Sequence, residues 1–202
     1  MKKYNYPQAK FHITVNDLQH LPASSNKEIA IVGRSNAGKS SLLNTLTNQN
    51  RLAYTSKTPG RTQHINYFAL EDEGIFLVDL PGYGYAKVPE KIRKHWITLL
   101  GDYLQKRQPL VGLVLIMDSR HPLKDLDYQM LEFFGSTGKP IHIILSKADK
   151  LTTQEKAKVL QLVRTQLNND GFTNYTVQLF SSPKRLGIEE LEAVLTNWLN
   201  SA

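Results

Sequence analysis

The sequence predicts a three-layer α/β/α fold on a mostly parallel six-stranded sheet with one antiparallel edge strand. Three observations predict it. Short apolar runs alternate with segments whose apolar residues recur at helical spacing. The polar, glycine-bearing motifs sit at the ends of those apolar runs, where open α/β sheets bind ligands. The length of 202 residues suits one domain with a sizeable core.

The elements follow in order. Residues 28–32 form a short apolar strand, and 39–48 a helix with Leu42, Leu43 and Leu46 on one face. Strands at 65–70 and 75–80 flank Glu71-Asp72-Glu73-Gly74, a hairpin turn that supplies the antiparallel edge. Residues 89–107 form a helix with Pro89 in its first turn. The continuous apolar run 110–117 reads as a strand buried on both faces. A helix at 124–134 and a buried strand at 140–145 come next. Residues 152–168 form a helix that opens with a capping box of Thr152 and Glu155. A strand at 175–180 and a helix at 188–199, with Ile188, Leu191, Leu195 and Trp198 at helical spacing, complete the chain. The polar stretch 1–27 reads as an N-terminal extension packed on the domain formed by 28–202.

Composition narrows the class. With no cysteine, the chain has no disulfide, zinc–thiolate or thiol chemistry. No apolar run reaches the roughly 18 residues of a membrane helix, and no apolar h-region marks a secretory signal near Met1. The net charge of +7 favours polyanionic partners, nucleic acid first and acidic membrane surfaces second, or serves solubility alone.

Four motifs carry chemistry. Gly33-Arg34-Ser35-Asn36-Ala37-Gly38-Lys39-Ser40 follows a strand and opens a helix, matching the P-loop pattern in full. Its amides and the helix start suit phosphate oxygens. Lys39 then reaches the β- and γ-phosphates, and Ser40 ligates Mg²⁺. Asp79-Leu80-Pro81-Gly82 ends a buried strand; the Asp79 carboxylate would hold Mg²⁺ through water, with the Gly82 N–H near the γ-phosphate. Ser146-Lys147-Ala148-Asp149 ends another strand. Its carboxylate can accept from guanine N1–H and N2–H₂, a donor pair that adenine lacks, while the Lys147 stem covers the base. Such a tetrapeptide is common in solvated loops, and its place two strands after Asp79 gives it weight. The backbone of Phe180-Ser181-Ser182, after the last strand, can donate to guanine O6.

Between the first two motifs runs Ser56-Lys57-Thr58-Pro59-Gly60-Arg61-Thr62-Gln63-His64. A threonine here that closes on Mg²⁺ only with a γ-phosphate present would make the loop a switch. Thr62 is preferred to Thr58, because Gly60-Arg61-Thr62 directly precedes a strand.

With these elements in order, the chain resembles the TRAFAC-class GTPases, and more closely the EngB (YihA/YsxC) family of bacterial ribosome-assembly GTPases. The resemblance spans nearly the whole chain. Its carriers are Gly33 through Ser41, Lys57-Thr58-Pro59-Gly60-Arg61-Thr62-Gln63, Asp79-Leu80-Pro81-Gly82-Tyr83-Gly84-Tyr85-Ala86, Ser146-Lys147-Ala148-Asp149 and Phe180-Ser181-Ser182. It implies binding of GTP and GDP along these segments, with Gln63 and His64 included. It implies Mg²⁺ on Ser40, Thr62 and Asp79, and hydrolysis served by Lys39, Thr62, Gly82 and Asn36. It also implies a cytoplasmic bacterial protein that acts on the large ribosomal subunit and its rRNA and is needed for normal division; a monomer is expected.

Two departures matter. Ser146 stands where the superfamily usually has Asn and the EngB family commonly Thr, so base contacts are expected to weaken while guanine preference survives through Asp149. Tyr83 stands where Ras-like proteins place a water-orienting Gln, so no Gln acts there. Asn36 lies where related GTPases help hold a monovalent cation. Slow intrinsic hydrolysis, raised by K⁺ or a partner, is the expectation.

Lys87, Lys91, Arg93, Lys94, Lys106 and Arg107, interleaved with Tyr83, Tyr85, His95 and Trp96, suggest an rRNA-gripping surface or, equally, a solvated helix. Two other readings stay open: an rRNA-binding module with negligible turnover, and a septum-associated division GTPase. A P-loop ATPase or small-molecule kinase would need a lid domain for which the chain has no room.

Overall fold

The computed structural model describes residues 2–53, 64–70, 74–84 and 90–201, with side chains in the last stretch described from residue 98. Among these residues lies one seven-stranded sheet in the order β1-β3-β4-β2-β5-β6-β7. Its strands are β1 (Lys10–Val15), β2 (Lys27–Gly33), β3 (Ile65–Ala69), β4 (Ile75–Asp79), β5 (Leu110–Asp118), β6 (Ile141–Ser146) and β7 (Tyr175–Leu179). The helices are α1 (Lys39–Leu46), α2 (Glu90–Lys106), α3 (Asp125–Gly135), α4 (Thr153–Asn169) and α5 (Ile188–Asn200).

The sheet is a mostly parallel α/β sheet, as expected, but has one strand more. β1 pairs antiparallel with β3, in the register Lys10 with Ala69 and Val15 with Ile65. β3 pairs antiparallel with β4, and every other neighbouring pair is parallel. β3 therefore runs against the other strands from an inner position, and β1 takes the edge. The extension also reaches the far end of the chain: the Tyr6 hydroxyl lies 3.0 Å from Thr196 Oγ1, and Gln49 donates to Ala9 O at 2.7 Å.

Period-two alternation sorts each central strand between two cores. Leu113, Leu115 and Met117 of β5 face one side with α2, α3 and α4, represented by Tyr103, Leu131 and Val163. Val114 and Ile116 face the other side with α1 and α5, represented by Leu43 and Leu195. This explains why β5 reads as an unbroken apolar run. The layers close tightly: a Cβ on Gly112 would stand 2.5 Å from the Trp198 ring. The box at the start of α4 forms as read, with Glu155 Oε2 accepting from Thr152 N–H at 2.7 Å and Thr152 Oγ1 from Glu155 N–H at 3.3 Å.

One charge sits deep in the fold, at the end of β2 away from its loop. Glu28 is fully buried. It accepts from Tyr103 at 2.6 Å, Tyr67 at 3.2 Å and Arg107 at 2.6 and 2.9 Å. Arg107 also donates to Pro22 O at 2.8 Å, so this group ties the extension, the sheet and the residue after α2 together. Arg107, grouped by sequence with a basic surface, is thus an internal partner. Lys106 pairs with Asp102 one turn back. Among the described residues no helix is long and apolar enough to cross a membrane.

Candidate functional site

β2 ends at Gly33, and the chain turns into α1 through 34–38. Asn36 and Gly38 have φ of 62° and 103°, flanking Ala37. Left-handed residues placed this way curl successive amides into a concave nest. Gly38 meets no steric cost at that φ, whereas an L side chain would. The carbonyls of Asn36 and Ala37 are turned outward, where they accept from Lys147 Nζ at 2.6 Å and from Ser146 Oγ. Because a trans peptide directs C=O and the following N–H oppositely, the Gly38 N–H aims into the concavity. Helical bonding begins with Leu42 N–H on Gly38 O at 2.9 Å, so the first-turn amides of α1 add partial positive charge to the nest.

Lys39 and Asp79 meet at the mouth of this turn as an ion pair, with both side chains largely buried. Asp79 closes β4, which pairs in parallel with β2 so that Asp79 stands beside Ile31. Leu80 N–H bonds Ile31 O at 3.0 Å and carries the chain into buried Pro81 and Gly82. The next residue, Tyr83, bridges back to the P-loop: Ser35 N–H donates to Tyr83 O at 3.0 Å.

The two motifs expected from sequence to read a base also converge. Ala148 N–H donates to Phe180 O at 3.0 Å, and Ser181 Oγ donates to Asp149 Oδ1 at 2.7 Å. The Ser181 hydrogen bond leads the effects that lower the Asp149 pKa, so the carboxylate is held ionised. Ser182 follows in the same turn, accepting from Arg185 N–H at 3.2 Å. Lys147 adopts φ of 58°, and its ammonium bonds Asn36 O and, at 3.0 Å, Asp118 Oδ2. Its stem thus spans from the base loop to the P-loop.

Sequence reasoning missed Asp118 and Arg120. Arg120 Nε and a terminal nitrogen grip Asp118 at 2.9 and 2.7 Å. That contact first, and Lys147 after desolvation, hold the Asp118 carboxyl well below the usual carboxylate range. The available signal was Asp-x-Arg at the end of a buried strand. Gly60, Arg61, Thr62 and Gln63 lie outside the described residues, as do Tyr85 and the side chains of Lys91, Arg93, Lys94, His95 and Trp96. His64, half-buried, immediately precedes β3.

The donor set fits a metal–triphosphate. An amide nest, one ammonium, the Ser40 hydroxyl at the helix start and the Asp79 carboxylate supply phosphate donors and hard-oxygen metal ligands. A second carboxylate, Asp149, stands in the loop that Lys147 ties to the P-loop, bonded by Ser181.

Known proteins resemble this chain. The model of the 50S ribosome-binding GTPase family matches residues 28–147. The probable GTP-binding protein EngB of Neisseria meningitidis serogroup B is 60% identical over 198 residues, covering 98% of this chain and 94% of that protein. The protein of the same description from Laribacter hongkongensis is 58% identical over 194 residues, covering 96% and 86%. Among solved structures, a probable GTP-binding protein engB superposes with a TM-score of 0.67 at 18% identity, covering 85% of this chain and 97% of that one. Era in complex with MgGDPNP and nucleotides 1506–1542 of 16S ribosomal RNA gives 0.68 at 20% identity, covering 85% and 56%. At these identities the two structures speak for the fold.

Proposed function

The chain belongs to the EngB family of GTP-binding proteins, a GTPase family, and from that premise we propose that it is a Mg²⁺-dependent switch in large ribosomal subunit assembly. In this reading it works in the bacterial cytoplasm and supports normal division. The observation that carries the nucleotide part is that the phosphate loop and the base loop are bonded to each other, through Ser146 Oγ on Ala37 O and Lys147 Nζ on Asn36 O. A ligand that fills both loops must present a base edge and phosphates at a fixed separation, as a nucleoside triphosphate does. Asp149, ionised and aimed by Ser181, selects guanine.

The roles of the side chains follow. The amides at 36–41 bind the β-phosphate region, and Lys39 leaves Asp79 for the β- and γ-oxygens. Ser40 and Asp79 are the oxygens suited to Mg²⁺, with Thr62 as the switch-loop ligand. The ion, when bound, offsets charge on the β- and γ-phosphates. Water attacks the γ-phosphorus as its bond to the bridging oxygen breaks; the electron pair leaves on GDP, and the water's proton passes to the oxygens of the released phosphate. Lys39 and the Gly38 N–H stabilise the charge that grows on that bridge, and Gly82 N–H holds the γ-phosphoryl group. Tyr83 has no amide to orient the water, so intrinsic turnover is slow. K⁺ beside Asn36, or a charge from the ribosomal partner, supplies what is lacking. The +7 charge supports an rRNA partner.

The test is GTP hydrolysis with and without purified large subunits, in K⁺ and in Na⁺, together with subunit pelleting in GTP and GDP. Stimulation by subunits or K⁺, and pelleting that depends on the nucleotide, are expected. Pelleting indifferent to GTP versus GDP would favour a plain RNA-binding module.

A further inference from the structure

We propose that Asp127 is a positioning residue of the hydrolysis site, holding the segment after Gly82 through Tyr83 and the start of the P-loop through Arg34. The inference rests on the GTPase reading above. Asp127 lies in the first turn of α3 and is fully buried. Its Oδ2 accepts from Lys124 N–H at 2.9 Å, which caps the helix. A cap needs no more than that oxygen. The other, Oδ1, accepts from two groups that belong to the nucleotide edge: Tyr83 hydroxyl at 2.7 Å and Arg34 Nε at 3.1 Å.

Both partners are themselves fixed. Arg34 donates a second time, to His121 O at 2.9 Å. The Tyr83 backbone pairs with the P-loop in both directions, donating to Gly33 O at 3.3 Å and accepting from Ser35 N–H at 3.0 Å. Burial first, and then the Asp127 charge, push the Tyr83 hydroxyl far above the usual phenol range, so it remains a donor. Gly82 is therefore one peptide from a residue anchored to the P-loop by backbone and to α3 by side chain.

The consequence is specific to GTP. The Gly82 N–H contacts a γ-phosphate, which GDP lacks. With the clamp made, that amide is preorganised; with the clamp cut, GTP binding must order the segment, and the reacting geometry loosens. GDP binding carries no such cost.

Tyr83→Phe keeps the ring and removes only the hydroxyl, so it tests the clamp without emptying the core. Asp127→Asn and the double variant complete a cycle. Steady-state hydrolysis gives kcat and KM, and fluorescent GTP and GDP analogues give the two affinities. Each single variant should lower kcat by about tenfold and reduce the ratio of GTP to GDP affinity, with GDP affinity held within about twofold. The double variant should be no worse than the more severe single. A fall in melting temperature with kcat and the affinity ratio unchanged, or effects that multiply in the double variant, would overturn the clamp while the unmodified chain still hydrolyses GTP through Lys39. No hydrolysis by the unmodified chain would overturn the clamp and the GTPase reading together.

Discussion

Asp149 is aimed by its neighbour Ser181, whose hydroxyl donates to Oδ1, while Lys150 stands 3.4 Å from Oδ2. Two predictions belong to this residue. Asp149→Asn replaces one acceptor oxygen with a donor, which suits the extra carbonyl of xanthine, so preference should move from GTP to XTP in a competition assay. The depressed Asp149 pKa sets a direction for pH: base recognition is complete above the ordinary carboxylate range and declines as pH falls through the lowered pKa. Ser181→Ala removes the leading cause, so the acid limb of GTP affinity should move to higher pH. An unmoved limb would mean that Ser181 does not set the ionisation. At this scale much was legible. Lys39, Ser40, Asp79 and Asp149 could be picked out as candidates because phosphate and guanine chemistry call for such groups beside glycine-bearing turns, and the structure places Lys39 against Asp79 and Ser181 against Asp149. Ser146 was read only for its effect on base contacts. Its hydroxyl also spans to Ala37 O and Met117 O, and no linear pattern encodes a bond across 109 residues.

Helix and strand boundaries were legible because each central strand is buried on both faces and each helix has one apolar stripe. β1 was not recognised, although Lys10 to Val15 alternates polar and apolar residues. As an edge strand it leaves Phe11 and Ile13 exposed, and its identity depends on pairing with β3 rather than on burial of its own face. Between β6 and β7, His142 is buried with Nδ1 2.6 Å from Thr176 Oγ1 and Nε2 2.8 Å from Gln178 Oε1. The Gln178 amide nitrogen donates to Gly187 O at 2.7 Å, so Oε1 faces the ring and the neutral Nε2–H tautomer satisfies both contacts. Burial holds the His142 pKa down to about 4. The unfolded chain therefore takes up a proton first as pH falls, and stability drops by ~2 kcal/mol between pH 7 and pH 5 from this group. Urea unfolding at both pH values should show the loss, and His142→Gln should flatten it. The Glu28 group makes a second prediction at this scale. Arg107→Met would leave a buried carboxylate without its cation and cost about 3–5 kcal/mol, read as a lower denaturation midpoint. Gly112→Ala, pressed against Trp198, should cost ~1–3 kcal/mol.

At the scale of the molecule, the parallel strands bring the ends of β2, β4, β5, β6 and β7 to one rim, and that rim carries the P-loop, Asp79 to Gly82, Ser146 to Asp149 and Phe180 to Ser182. The fold thus brings segments scattered over 150 residues together, with the P-loop bonded to the loop after β6 at 36–37 and 146–147. Family membership, the basic charge and a tyrosine at position 83 are the grounds on which activation by a ribosomal partner or K⁺ is proposed above. Equilibrium binding of GTP and ATP to the unmodified chain and to Lys39→Ala measures the central claim most directly. GTP should bind the unmodified chain, ATP should bind at least about tenfold more weakly, and Lys39→Ala should lose about tenfold or more of the GTP affinity. Undiminished GTP uptake by Lys39→Ala, or ATP bound as tightly as GTP, would contradict the account.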